Sequence, residues 1–224
     1  VALALLLAKM LPERRPSPGL GYAQILASSF KLLARTPAIR RRTAYQTTMF
    51  AIFNLFWTAV PLVLATRFGL GQGGIALFAL AGAGGALTAP IAGRLGDRGY
   101  IRIGTGIALG SAILACVVAG WAGAAHMLIV LAIAAILLDA ATQLNQVLGQ
   151  RVIYSIAADA RGRINAIYMT VVFLGGAAGS MLASFSLYHG GWTATMAVGA
   201  GLAVAAFALF LTEPRGDHIL SGSA

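Results

Sequence analysis

An all-α membrane protein is the fold this sequence predicts: a bundle of six spanning helices. Three observations predict it. Hydrophobic residues make up 59% of the chain and charged residues 10%, against about 45–50% and about 25% in soluble domains. The apolar residues lie in continuous runs of spanning length, roughly 20 residues each. The basic residues lie between those runs, on alternate sides. Continuous rather than alternating apolarity excludes a membrane β-barrel. The net charge of +10 does not point to nucleic acid, because the cations form the membrane orientation pattern rather than a basic face.

The chain begins with Val1–Met10, an apolar stretch followed, not preceded, by basic residues, which is the wrong order for a signal peptide. It is expected to be the tail of a spanning helix whose start is missing. Leu11–Gly21, with three prolines and two glycines, predicts a loop. Tyr22–Leu33 has the pattern of a short amphipathic helix at the interface. The cluster Arg35, Arg40, Arg41 and Arg42 is expected to be a solvated anchor at head-group level. Residues 1–42 thus form the end of a helix and a cytoplasmic loop. The six spans are placed at about 43–66, 74–93, 101–121, 125–149, 164–188 and 191–212, with a tail at 213–224. Pro61 and Pro90 are expected to kink their helices, not to interrupt them.

Of the 16 Lys and Arg residues, all but Arg67 fall on one side of this layout. The positive-inside rule makes that side cytoplasmic, with the loop before the first full span and the tail both inside. Small residues at four-residue spacing suit close helix contact: Gly82, Ala86 and Pro90; Gly106 and Gly110; Gly175 with Gly179; Gly176 with Ser180. Static packing and a sliding contact both fit that spacing. The single Cys116 lies in an apolar run and is expected to be a buried apolar residue.

Asp139 is the one acid inside a span, and an intramembrane carboxylate is costly enough to mark a functional candidate. Gln143, Gln146 and Gln150 follow at helical spacing and share its stripe, with Asn145 off it. The stripe is either a proton-binding or cation-recognising carboxylate with amides along a substrate path, or a polar contact fastening two helices. In the first full span Gln46, Phe50, Phe53 and Trp57 share a face beside Asn54, as in an amphiphilic pocket; lipid-facing filler is the plainer reading of the aromatics. Tyr168 and Met169 are weaker candidates. Trp121, His189 and Trp192 fall at the outer boundary, where Trp serves as an anchor. The motifs of soluble-type enzymes (GxSxG, HExxH, CxxC, a P-loop) do not occur. The three histidines are scattered, so neither a metal site nor a cofactor is expected.

The stretch Gly93–Arg102, GRLGDRGYIR, resembles the signature loop of the major facilitator superfamily, G-x-L-a-D-R-x-G-R-R/K. Gly93, Leu95, Asp97 and Arg98 match it, and Arg102 falls on the final basic position. Tyr100 and Ile101 depart from it, with Gly99 one residue early. Gly175–Ser180 is similar, by symmetry, to the glycine-rich fifth helix of antiporter-type members. The resemblance implies the C-terminal half, helices seven to twelve, of a twelve-helix transporter similar to bacterial efflux permeases of the inner (plasma) membrane. It implies alternating access, with Gly93, Leu95, Asp97, Arg98 and Arg102 as a gating loop whose aspartate touches neighbouring helix ends. The implied partners are the lipid bilayer, a small-molecule substrate, the N-terminal six-helix half and, through Asp139, protons. A six-span channel or a structural membrane protein is the rival reading.

Overall fold

The computed structural model describes residues 22–156 and 161–214, and the described residues are almost entirely helical. The expected helix tail Val1–Met10, the loop Leu11–Gly21 and the tail beyond Pro214 lie outside them. Helix α1 spans Tyr22–Arg35 and meets α2, Pro37–Phe68, at Thr36. Two α-helical segments, α3 (Gln72–Gly82) and α4 (Ala89–Asp97), flank a 3₁₀ segment, Ala83–Thr88. Then come α5 (Ile101–Ala124), α6 (Leu128–Ile156) and α7 (Arg161–Leu211). Five stretches are long and apolar enough to cross a membrane: α2, the α3–α4 run, α5, α6 and α7.

Straight, the 51 residues of α7 would reach ~76 Å at about 1.5 Å per residue. The chain instead folds back at Gly191 (φ 67°, ψ −165°). Ser186 Oγ consequently donates to Thr195 Oγ1 at 3.1 Å, although nine residues of continuous helix would set them roughly 13 Å apart. A positive φ is available to glycine without the Cβ clash that other residues suffer. The break expected between the spans 164–188 and 191–212 thus shrinks to one non-helical residue, Gly191, and α7 makes two antiparallel limbs. Six helical passes result, as the composition predicts.

Several boundaries differ from expectation, with α6 running on to Ile156 rather than ending at 149. Helix α2 starts six residues early, because Pro37 occupies its first turn, where a missing N–H costs nothing and φ is preset. The Arg40–Arg42 cluster is therefore helical. Helix α1 does not rest on lipid alone: Leu32 and Leu33 pack against Ile39, Ile153, Ile164 and Tyr168 at the foot of the bundle.

The core lies between α2, α5, α6 and the second limb of α7, where Leu55, Phe56, Leu109, Cys116, Leu138 and Met196 are buried. Trp192 belongs to it as well and is not a boundary anchor. It is 1% exposed, and its Nε1 donates to Ala119 O at 2.8 Å. The first limb of α7 packs on α2 through its small residues. Gly175 meets Thr47, Gly176 meets Phe50 and Asn54, and Gly179 lies on the Ala51 carbonyl. Ser180 Oγ accepts from Thr58 Oγ1 at 3.0 Å.

The 3₁₀ segment is the fold's main departure from regular helix. Pro90 has no N–H to return to the Ala86 carbonyl, and the Ala89 N–H takes it instead, three residues on. This tightens the register from four to three. The small residues in contact with neighbours are consequently Gly82 and Gly85, not the Gly82–Ala86–Pro90 row that a continuous α-helix aligns. Gly82 abuts the Trp57 ring, and a Cβ on Gly85 would lie 2.5 Å from Asp139 Cβ and 2.6 Å from Ala140 N.

Candidate functional site

Helical periodicity alone puts Phe50, Phe53 and Trp57 on one stripe of α2 and Asp139, Gln143 and Gln146 on one stripe of α6. Packing turns the stripes toward each other, and the 3₁₀ segment closes a third side. Between them lies a cavity of about 200 Å³ lined by Phe50, Phe53, Ala83, Ala86, Asp139, Thr142, Gln143 and Gln146. Asp139 stands eleven residues into α6 from Leu128, roughly 16 Å along the helix. Trp57 Nε1 donates to its Oδ1 at 2.9 Å. Among the described residues no cation pairs with this carboxylate; the two ion pairs are elsewhere. The Phe50 and Phe53 rings are parallel, with centroids 5.7 Å apart, and Phe173 meets Phe50 edge-on at 5.3 Å. A second cavity of about 350 Å³, between α2 and the first limb of α7, is lined by Thr58, Ala59, Leu62, Ala183, Ser184, Leu187 and Tyr188. It is larger but no charged side chain lines it.

Below the cavity sits an amide cluster. Gln46 is fully buried and Asn145 is 2% exposed. Asn145 Nδ2 donates to Gln46 Oε1 at 2.7 Å, and Gln46 Nε2 approaches Gln146 Oε1 at 3.4 Å. Asn145, set aside because it leaves the Asp139 stripe, is thus the tighter partner: from its own side of α6 it faces α2. An uncompensated amide in an apolar run was the signal for it. Asn54 does not reach the cavity; its Nδ2 donates to Phe50 O at 2.8 Å. Among the described residues Gln150 reaches the Met169 sulfur, at 3.9 Å, and it does not line the cavity. Tyr168 is buried with its hydroxyl unpartnered, packed with Ile39, Ile153, Ile164 and Val172 rather than in the cavity.

The Gly93–Arg102 stretch lies at the arginine-rich end of the bundle. It is mostly helix: α4 ends at Asp97, and Gly99 (φ 78°) turns the chain into α5. Tyr100 N donates to Leu95 O and Gly99 N to Gly96 O, the paired bonds of a Schellman cap. The early glycine that departs from the signature is therefore the one residue here needing a left-handed conformation. Asp97 Oδ1 pairs with Arg151 Nη1 of α6 at 2.6 Å. Gly96 clears the way, since a Cβ there would lie 2.9 Å from Arg151 Cδ. Leu95 packs beside Gly104, while no neighbour crowds Gly93. Arg98 is exposed.

Arg102 reaches the other way. It donates to Glu213 O at 2.9 Å and Pro214 O at 3.3 Å, and its guanidinium lies over the Phe210 ring. Arg41 donates to Leu209 O and Thr212 Oγ1, both at 3.0 Å. Arg42 donates to Thr105 Oγ1 at 2.6 Å and pairs with Glu213 Oε1 at 2.8 Å. Three arginines thus hold the end of α7, where unsatisfied carbonyls and the negative end of the helix dipole favour cations. For Arg42 this corrects the expectation of a solvated basic anchor: it is 3% exposed, because Glu213 and Thr105 supply its partners inside the bundle, whereas Arg35 and Arg40 are exposed.

No group of three His, Cys, Asp or Glu able to hold a metal occurs among the described residues. A six-pass helical bundle with a membrane-depth cavity and this signature turn is matched by the family profile of the Major Facilitator Superfamily over residues 43–223. The chain belongs to that superfamily and is a multi-pass membrane protein. It is 37% identical over 203 residues to proteins named uncharacterized transporter and putative uncharacterized transporter YgaY in two strains of Escherichia coli, covering 90% of this chain and 51% of theirs. It is 32% identical to a probable transporter of Streptomyces coelicolor, covering 88% of this chain and 45% of that one. The chain spans about half the length of these curated relatives.

Proposed function

We propose that the chain is the C-terminal half, helices seven to twelve, of a twelve-helix secondary transporter. That transporter moves a small molecule outward across a bacterial inner membrane by alternating access, in exchange for protons. The observation that carries this reading is the Asp139 carboxylate, held at membrane depth in a cavity, fixed by Trp57 and matched by no cation among the described residues. A carboxylate so placed exchanges a proton with whichever side the cavity faces. Substrate entering from inside displaces the proton inward; a proton entering from outside refills the site after the substrate leaves. The arginine-rich end is cytoplasmic in this scheme, by the distribution of basic residues. There Asp97–Arg151 joins the α4–α5 turn to α6 and acts as a latch, and its rupture lets the cavity open inward.

The test uses the complete transporter in proteoliposomes. Imposing ΔpH should accelerate substrate movement, and Asp139→Asn should abolish that acceleration. Transport indifferent to ΔpH, or a variant as responsive as the parent, would overturn proton coupling.

A further inference from the structure

We infer that the Asp139 cavity takes a monovalent organic cation with a flat apolar body, such as an aromatic ring bearing an ammonium arm. This rests on the cavity being the substrate site proposed above and names the class of molecule that fits it. Asp139 lines the cavity; its Oδ1 is already engaged by Trp57, and no hydrogen bond among the described residues reaches its Oδ2. The remaining polar lining is amide and hydroxyl, from Gln143, Gln146 and Thr142. The hydroxyl is already committed, donating to Leu138 O at 2.9 Å.

Among the described residues no lysine or arginine contributes to the lining. The arginines that could have served are engaged far from it: Arg42 on Glu213, Arg151 on Asp97 and Arg67 on Gly123 O. An anion would meet an uncompensated carboxylate and no counter-charge. A neutral polyol would leave that carboxylate desolvated and unpaired, which is expensive. An ammonium group removes the penalty by pairing with Oδ2. The wall opposite suits the rest of such a molecule. The parallel Phe50 and Phe53 rings form an aromatic wall of the cavity, and aromatic faces attract both cations and flat apolar groups. About 200 Å³ holds one ring and a short arm.

Binding and protonation then exclude each other at one oxygen. When the ammonium docks, the Asp139 O–H bond breaks, its proton passes to water on the open side, and an N–H···Oδ2 hydrogen bond forms. Exchange of substrate for a proton follows from this single site.

The probes are benzylamine, benzyl alcohol and benzoate, which share a ring and differ in charge. Each is titrated into the purified complete transporter, and Trp57 fluorescence is read as the difference from a Trp57→Phe variant. Benzylamine should give a saturable change with an apparent Kd at least about tenfold below that of benzyl alcohol, the scale of one charge-assisted hydrogen bond. Benzoate should give none. Asp139→Asn should bring the amine to the level of the alcohol. The inference is overturned if alcohol or benzoate binds as well as the amine, if the preference survives Asp139→Asn, or if no probe gives a saturable signal. The two readings separate cleanly. An amine preference without ΔpH-driven transport leaves this inference standing and removes proton coupling; ΔpH-driven transport without the preference does the reverse.

Discussion

Arg42 and Asp139 are both ionisable side chains held inside the bundle, and the protein treats them in opposite ways. Arg42 is 3% exposed and carries a carboxylate at 2.8 Å and a hydroxyl at 2.6 Å. Asp139 is half-buried and is held by a neutral indole N–H. Burying a charge demands compensation, and a paired charge is spent on structure. A charge left with an open oxygen beside a cavity is available to something that comes and goes. The first joins α2, α5 and the end of α7; the second joins α2 and α6 around an empty space. That difference separates a charge fixed in the architecture from the one to which we assign the chemistry, in a chain with only six acidic residues.

The comparison breaks most visibly when the paired charge is stranded. Arg42→Met leaves Glu213 without its counter-charge, facing the Tyr45 hydroxyl at 3.5 Å, and should cost about 3–5 kcal/mol, read as a lowered unfolding midpoint of the complete transporter in detergent. Adding Glu213→Gln should restore most of the loss, because the orphaned charge is then gone as well. In the same assay Asp139→Asn should leave the midpoint unchanged or raise it: the amide oxygen still accepts from Trp57, and the uncompensated charge disappears. A midpoint that falls for Asp139→Asn as far as for Arg42→Met would mean that the two charges do the same job.

The two stripes of the candidate site are legible in the sequence because each is local: a period of 3.6 residues aligns Phe50, Phe53 and Trp57, and again Asp139, Gln143 and Gln146. The six passes are legible for the same reason, since length and apolarity are properties of single runs. What stays hidden is set by distant partners. Arg42 reads as a head-group anchor until Glu213, 171 residues on, is brought beside it. Asn145 looks misplaced until Gln46 arrives from α2. The partner of Asp97 is Arg151 of α6, and no spacing within GRLGDRGYIR announces it. The 3₁₀ segment is intermediate. Pro90 and the glycines make a break affordable, but the close contact with Trp57 and Asp139 gives it a place.

That contact supplies the middle-sized test. Gly85→Ala puts a Cβ 2.5 Å from Asp139 Cβ and 2.6 Å from the Ala140 nitrogen. Backbone cannot step aside as a side-chain tip can, so overpacking of about 1–3 kcal/mol is expected. Gly84→Ala, with open space around the added methyl, is the control and should leave the unfolding midpoint near that of the parent. Equal effects at the two positions would deny the 3₁₀ segment any special fit against Asp139.

The smallest energetic effect belongs to Asp97–Arg151, and there a small number does not mean a small role. The two side chains are 68% and 44% exposed, and exposed ion pairs contribute about 0–1 kcal/mol. Asp97→Asn should therefore barely move the unfolding midpoint. A latch does not need a large energy, because up to about 1 kcal/mol changes the ratio of two conformations by up to about fivefold. The readout is a cysteine introduced in place of Gln146, on the cavity wall, and labelled by a membrane-impermeant maleimide from the arginine-rich side. Labelling should accelerate by up to that factor in Asp97→Asn. It should also accelerate in the parent at high salt, which screens exposed pairs. If neither the substitution nor salt alters labelling, the pair is a surface contact with no hold on the cavity. The division between structural charge and working charge would then run through Asp139 alone.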